Sequence, residues 1–410
     1  MELFYILLVL LLVTRVFGEC ATRFGQPVLV GELLGGVILG IVATSFSDTF
    51  PVLADVNHNE VFKAITELGI FFLMLVAGME MRPKDLTEAS SSAAAVAIGG
   101  MVLPLALGMG IAWVWLPESD WRFAQTLFVG VALSVTAVPI TIAALMDLGK
   151  QGTAVGKIIV SAAVFDDIIS LFLLAVLTAL LQTGGGVTAS TLLSLGGKVL
   201  LFFVLVTLAG RYLMPLTGRL TERLQIRHIE FSLLMAWGFG LALLAEQLGM
   251  HFILGAYAAG LFFKRETIDP EIHEELFERT RTFTAGFLAP IFFASIGMAI
   301  DLAAITAVPG FLLALIAVAF VGKLAGAGLA ARMTGLSNRE SLAAGVGMNA
   351  RGAVELIVAG IALEAGLFSH PEPVPEIVGS LFSAIVIMAI VTTVLSPIWL
   401  RFLLGNRDNG

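Results

Sequence analysis

Apolar stretches of about 20 residues, the length a helix needs to cross a hydrocarbon core of roughly 30 Å, recur along the whole chain with only short polar breaks between them. Thirteen spans are predicted, near 3–18, 27–44, 63–81, 92–116, 122–147, 153–182, 192–214, 230–248, 251–264, 281–298, 304–332, 340–366 and 376–404. No stretch is left for a soluble domain. The pattern is that of an all-α polytopic membrane protein whose solvent is lipid.

The polar breaks carry a directional signal. Placing the N-terminus outside puts Arg82/Lys84, Lys150/Lys157, Arg211/Arg219/Arg223/Arg227, Lys264/Arg265/Arg279/Arg281, Arg332/Arg339 and Arg401/Arg407 on the cytoplasmic side, together with Arg15 and Arg23. Only Lys63, Arg122 and Lys198 fall outside. This asymmetry satisfies the positive-inside rule and places the C-terminus in the cytoplasm of a cell membrane. Glu2 precedes the first apolar run and the arginines follow it, so residues 3–16 read as a retained span and not as a secretory signal.

Two fragments recur in order. Val30-Gly31-Glu32-Leu33-Leu34-Gly35-Gly36 in the second span resembles Leu254-Gly255-Ala256-Tyr257-Ala258-Ala259-Gly260 in the ninth. Ile70-Phe71-Phe72 followed by Gly78-Met79-Glu80-Met81 in the third resembles Ile291-Phe292-Phe293 followed by Gly297-Met298-Ala299-Ile300-Asp301 in the tenth. Related spans are seven apart, an odd number, so the copies are expected in opposite orientations: an inverted repeat of the kind secondary transporters use.

Composition narrows the class further. Hydrophobic residues make up 58% of 410 and charged residues 13%, against roughly 25% charged in soluble domains. A net charge of −8 argues against a nucleic-acid partner. The single cysteine, Cys20, allows no internal disulfide; Gly18-Glu19 before it does not resemble a lipoprotein cleavage site, so it reads as an unmodified thiol. His58, His228, His251, His273 and His370 lie in loops or at span ends without metal-ligand spacing, so no transition-metal site is expected. No phosphate-binding glycine loop appears and no nucleotide domain follows the last span. The expected energy source is an ion gradient, with no cofactor.

The informative residues are the charges inside spans, because an ionised group at mid-bilayer costs at least roughly 2.5–3.5 kcal/mol on insertion scales. Asp166 and Asp167 stand side by side in the sixth span, about 100° apart around the helix, so each meets different surroundings. Adjacent acids couple, and burial with mutual repulsion favours a proton on one of them in competition with a cation. Lys323 lies mid-span in the eleventh, among Gly322, Gly326 and Gly328, which permit close helix approach. A buried ammonium needs a carboxylate, and Asp166 or Asp167 is the best candidate.

Two spans read as broken helices. The fifth contains Ala132-Leu133-Ser134-Val135-Thr136-Ala137-Val138-Pro139, where Pro139 removes an amide donor and Ser134 and Thr136 offer hydroxyls. The twelfth contains Gly345-Val346-Gly347-Met348-Asn349-Ala350-Arg351-Gly352-Ala353-Val354-Glu355. Each is the fourth span of its copy, where paired interruptions mark a midplane binding site with freed carbonyls. Arg351 is expected to neutralise the negative half-helix ends and Glu355 the positive ones, although their four-residue spacing also suits a plain helix pair. Glu32, Glu67, Glu80, Glu246 and Glu364 lie near span ends and are expected to be solvated, and Pro290 is expected only to kink its helix.

Together, Phe165-Asp166-Asp167, the Ser134 to Pro139 segment, Lys323 and the Asn349 to Glu355 segment resemble the monovalent cation:proton antiporters of the second family, bacterial Na⁺/H⁺ and K⁺/H⁺ exchangers, over nearly the whole chain. The resemblance implies thirteen helices with two crossed discontinuous helices, and an elevator motion of a core against a homodimerising scaffold. It assigns spans 1–3 (1–84) and spans 7–10 with their linker (183–300) to the scaffold, and spans 4–6 (85–182) and 11–13 (301–410) to the transport core. It also makes Asp167 the main ion and proton site, Asp166 the partner of Lys323 when the cation is absent, and Thr136, Ser134 and nearby carbonyls the cation lining. Asn349, Arg351 and Glu355 become the charge-compensating crossing.

Two-aspartate members are typically electrogenic. This chain departs in one respect: Ala353 follows the glycine where relatives often carry an acid, and the acid here is Glu355. The expected function is exchange of Na⁺, with Li⁺ also accepted, for protons; the lack of a nucleotide-binding tail favours Na⁺. The alternatives are a K⁺/H⁺ antiporter or K⁺-efflux protein of the same fold, a gated cation channel, and a membrane-embedded enzyme using paired aspartates.

Overall fold

The computed structural model describes residues 2–56, 59–80, 91–150, 152–181, 189–213, 229–263 and 270–405. Arg82, Lys84, Arg219, Arg223, Arg227, Lys264, Arg265, Arg407, His58, His228 and Met81 lie outside the described residues. The described residues are helical, without strands. Among the described residues ten helices are long and apolar enough to cross a membrane, as the continuous hydrophobic runs dictate. They include α1 (Glu2–Arg23), α2 (Val28–Ser45), α3 (Glu60–Glu80) and α4 (Ser91–Trp115).

Between α4 and the next long helix the chain forms two shorter pieces, α5 (Arg122–Ser134) and α6 (Val138–Asp147). There follow α7 (Ala154–Leu181), α8 (Ala189–Leu208), α9 (Ile229–Gln247) and the short apolar α10 (Phe252–Phe262). A continuous stretch comprises α11 (Pro270–Phe283), a π-helical turn (Thr284–Leu288) and α12 (Ala289–Met298). Then come α13 (Pro309–Met333), a second interrupted pair α14 (Asn338–Gly347) and α15 (Ala353–Glu364), and α16 (Leu381–Leu404).

The chain divides into two compact units. The first comprises Met1–Glu19, Gly31–Pro83 and Thr188–Ala299. Its helices approach backbone to backbone where glycine removes the side chain. A Cβ at Gly31 would overlap the carbonyl of Phe17, and one at Gly255 the carbonyl of Leu241. At Gly297 it would meet the Leu33 carbonyl and the Val37 amide; at Gly78, the Tyr257 carbonyl and the Leu261 amide. At Gly36 the obstacle is the Ala294 carbonyl, and at Gly260 that of Leu75.

Pro290 does more in this unit than bend a helix. The amide of Ala289 bonds five residues back to Thr284, so the next carbonyl in that ladder, Ala285, would pair with the N–H that Pro290 lacks. Arg15 donates to the Ala285 carbonyl instead, and its second nitrogen lies 3.4 Å from Glu32. Glu32 is therefore not solvated as expected but is 4% exposed, held by an arginine that also repairs the proline's gap. Glu67, Glu80, Glu246 and Glu364 are exposed. Cys20 is a free, exposed thiol.

The second unit comprises Cys20–Val30, Lys84–Val187 and Ile300–Gly410. Here α4 and α13 touch through glycine: a Cβ at Gly99 would overlap the Gly326 carbonyl, and one at Gly326 the Gly99 carbonyl. Gly322 lies against Pro104, and Gly328 against the Ser341 carbonyl, so the small residues around Lys323 do bring helices close. α14 opens with a capping box, the Ser337 hydroxyl accepting from the Glu340 amide while the Glu340 carboxylate accepts from Ser337. This fixes the start of the second interrupted pair.

Candidate functional site: two joined breaks

Three residues, Val135 to Ala137, separate α5 from α6, and the backbone there is extended (Val135 φ −64°, ψ 146°; Ala137 φ −97°, ψ 100°). Five residues, Met348 to Gly352, separate α14 from α15. The two segments are stitched together. The Ala137 amide donates to the Ala350 carbonyl at 2.7 Å. The Thr136 hydroxyl donates to the Met348 carbonyl at 3.0 Å and the Thr141 hydroxyl to the Gly347 carbonyl at 2.5 Å. A Cβ on Gly352 would stand 2.5 Å from that of Ala137, so the approach of the two breaks requires glycine at this position. Each break leaves carbonyls without helical partners, and these bonds and the charges below satisfy them.

Lys323, fully buried in α13, donates to the Ser134 carbonyl and, at 2.6 Å, to the Thr136 hydroxyl. Its ammonium lies 3.7 Å from Asp166 Oδ1. Asp166 is fully buried in α7, and its carboxylate faces Lys323 and Thr136 of the first break. The next residue, Asp167, is half-buried, consistent with the 100° turn between them. The Ser134 hydroxyl is spent within its own helix, donating to the Val131 carbonyl at 2.8 Å. What Ser134 offers the break is its carbonyl oxygen.

Arg351 occupies the second break and is 1% exposed. Its guanidinium donates to the carbonyls of Ala132 at 2.6 Å, Val135 at 2.8 Å and Leu133 at 2.7 Å. These lie in the last turn of α5 or just beyond it, so the arginine caps the negative end of that half-helix with charge-assisted bonds. Glu355, fully buried in the first turn of α15, lies 3.7 Å from Arg351 Nε. It therefore combines both readings of the sequence, a carboxylate at a positive helix end and an i,i+4 partner of the arginine. Asn349 is fully buried, and neither side-chain polar atom hydrogen bonds among the described residues.

The formal charges of Asp166, Lys323, Arg351 and Glu355 cancel, and Asp167 takes the group to −1. Four buried, balanced charges in an apolar bundle are costly to assemble and serve a site better than they serve stability. One residue escaped the sequence reading: Thr393 of α16, whose hydroxyl accepts from the Arg351 amide at 3.2 Å and donates to the Arg351 carbonyl at 2.9 Å. Among the described residues no group of three or more His, Cys, Asp or Glu side chains could hold a metal ion.

The likeness to known proteins agrees with this architecture. The family described as "Sodium/hydrogen exchanger, transmembrane" matches residues 7–405. The Na⁺/H⁺-K⁺ antiporter GerN of Bacillus cereus is 32% identical over 407 residues, covering 99% of this chain and 97% of GerN. The high-affinity Na⁺/H⁺ antiporter NhaS3 of Synechocystis sp. is 30% identical over 428 residues, covering 96% of this chain and 88% of NhaS3. The structure of the sodium proton antiporter MjNhaP1 from Methanocaldococcus jannaschii shares the fold, with a TM-score of 0.70 over 99% of this chain and 100% of that one, at 17% identity. With nearly its whole length matched, this chain belongs to the transmembrane sodium/hydrogen exchanger family.

Proposed function

We propose that the protein exchanges a monovalent cation for protons across the cell membrane, with the Asp166/Asp167 pair as the shared site. The observation that carries this reading is the position of Lys323. A tethered cation rests on oxygens of the first break, the Ser134 carbonyl and the Thr136 hydroxyl, 3.7 Å from a buried carboxylate. An oxygen-lined place that holds an ammonium suits a dehydrated alkali cation of the same charge. A carboxylate that holds a proton cannot also hold the cation, so each displaces the other and coupling needs no ATP. Asp167, half-buried and adjacent, is the group the cation reaches, while Asp166 pairs with Lys323 when the site is empty.

Na⁺ is the preferred ion, with Li⁺ also accepted, in keeping with the names of GerN and NhaS3; GerN's name also includes K⁺, which keeps K⁺/H⁺ exchange as the second reading. Two acids set against one monovalent cation favour an electrogenic cycle. In this reading the ten long helices, the short α10 and the two interrupted pairs make thirteen spans, with the N-terminus outside and the C-terminus inside. The unit that holds the crossing is the moving core, and the other is the scaffold of an elevator and of a homodimer.

The inverted repeat belongs to the same proposal, and an exchange of contacts supports it. If Gly36 is equivalent to Gly260, and Gly78 to Gly297, a two-fold relation demands that the contacts swap partners. They do so atom for atom: Gly297 on Leu33 O and Val37 N matches Gly78 on Tyr257 O and Leu261 N, and Gly36 on Ala294 O matches Gly260 on Leu75 O. Gly31 on Phe17 O repeats as Gly255 on Leu241 O, and Gly99 and Gly326 meet each other, as residues beside an axis would.

The test is proton flux in proteoliposomes with an imposed pH gradient, read as fluorescence dequenching. Addition of Na⁺ and of Li⁺ is expected to collapse the gradient, with K⁺ less effective. No response to any of the three would contradict the reading, and a response to K⁺ alone would favour the second.

A further inference from the structure

A threonine inside a transmembrane helix ordinarily turns its hydroxyl back onto a carbonyl three or four residues earlier. Thr392 does this, donating to the Met388 and Ala389 carbonyls at 3.0 Å each, and Ser396 donates to the Thr392 carbonyl at 2.7 Å. Thr393, 3% exposed between them, does not. Its hydroxyl spans to the second break and takes both backbone groups of Arg351, accepting from the amide and donating to the carbonyl. Arg351 lies where the backbone is neither α14 nor α15, so neither group has a helical partner. Leaving them unpaired in an apolar bundle would be costly, and one hydroxyl removes both deficits.

The consequence extends to the other break. The Arg351 guanidinium caps three carbonyls at the end of α5, so a fixed Arg351 backbone fixes that cap. The last of those carbonyls, Val135, is next to Thr136, on which Lys323 rests. The placement also has a counterpart. Asp166 on α7, in the sixth span, stands beside Thr136 of the first break; Thr393 on α16, in the thirteenth, bonds Arg351 of the second. One copy of the repeat presents a charge to the break and the other a neutral hydroxyl.

We infer that Thr393 is a positioning residue of the ion site, the neutral counterpart of Asp166, which holds the second break so that Arg351 keeps the first break in register for the cation. The inference rests on the exchange function proposed above. It is tested in the same proteoliposomes, with initial rates measured against Na⁺ concentration at several pH values. Thr393→Val keeps the shape and loses both bonds. It is expected to raise the apparent KM for Na⁺ about 5- to 30-fold, the factor that one or two net hydrogen bonds correspond to, while kcat changes less. Thr393→Ser is expected to restore the wild-type KM. Thr392→Val, which loses only bonds within its own helix, is expected to leave KM as it was.

A Thr393→Val protein with wild-type KM and pH profile would overturn the inference, as would an equal rise in Thr392→Val. Should the valine variant not fold, Thr393→Cys carries the same test, because a thiol of similar bulk donates and accepts weakly: a raised KM supports the role and an unchanged one refutes it. Failure of the underlying reading looks different. The wild type itself would then show no cation-dependent flux, and the role of Thr393 would fall with it.

Discussion

Asp167→Asn is expected to reduce cation-dependent proton movement in proteoliposomes to the background of protein-free vesicles, while the purified protein keeps its helical content and its thermal transition. The asparagine side chain has the same shape and can still donate and accept hydrogen bonds, but it can neither hold a proton in exchange nor carry the charge that neutralises a cation. Asp167 is half-buried, so its replacement by a neutral isostere removes a charge from the bundle without opening a cavity. Loss of transport with loss of folding would be uninformative about chemistry; loss of transport in a folded protein is what the site predicts. Normal exchange by this variant would remove Asp167 from the mechanism.

Arg351→Met is expected to have the largest effect on stability. The guanidinium is fully enclosed by protein, bonded to the carbonyls of Ala132, Leu133 and Val135 and paired with Glu355. Its removal leaves those oxygens uncapped and one buried carboxylate without its counter-charge. Breaking a buried pair in this way costs roughly 3–5 kcal/mol, which should appear as a marked fall in the thermal transition in detergent and little transport. The double variant Arg351→Met/Glu355→Gln removes the orphaned charge as well and is expected to regain a large part of the stability but not the transport. A double variant no more stable than the single one would show that the carbonyl caps, and not the ion pair, dominate the loss.

The charged members of the candidate site stand out in the sequence: Asp166, Asp167 and Lys323 because a charge inside an apolar span has no ordinary explanation, Arg351 and Glu355 because two opposite charges lie four residues apart in a glycine-interrupted segment. The two interruptions were legible from Pro139 and from the glycines of 345–352. What the sequence hides is the partner of a group that is common in such helices. Thr392 and Thr393 are adjacent and chemically identical, yet one bonds its own helix and the other a break more than forty residues away. Only the fold separates them. Ser134 misled in the same way, since a serine near a break suggests a hydroxyl ligand, whereas its hydroxyl bonds Val131 and its carbonyl meets Lys323. Glu32 was read as solvated from its place near a span end, without knowledge that Pro290 would create a carbonyl for Arg15 to satisfy and so draw the pair inward.

The proposed repeat rests, in the sequence, on two short likenesses alone. Their glycines acquire meaning under the proposed two-fold relation, because the backbone contacts of Gly297 and Gly36 correspond to those of Gly78 and Gly260 with partners exchanged, a match that does not depend on side-chain identity. If the proposed repeat holds, the functional asymmetry lies in what is not repeated: Lys323 and the acid pair would occur in one copy each, so the shared backbone would frame a single charged site.

Tight coupling between cation and proton is the central claim, and the most direct measurement is net flux in proteoliposomes holding opposed Na⁺ and pH gradients at a clamped membrane potential. An exchanger predicts that proton flux reverses direction at a fixed ratio of the two gradients, set by its stoichiometry and moved by the potential if the cycle is electrogenic. Proton flux indifferent to the Na⁺ gradient, or Na⁺ flux that follows only its own electrochemical gradient as a channel's would, contradicts the account.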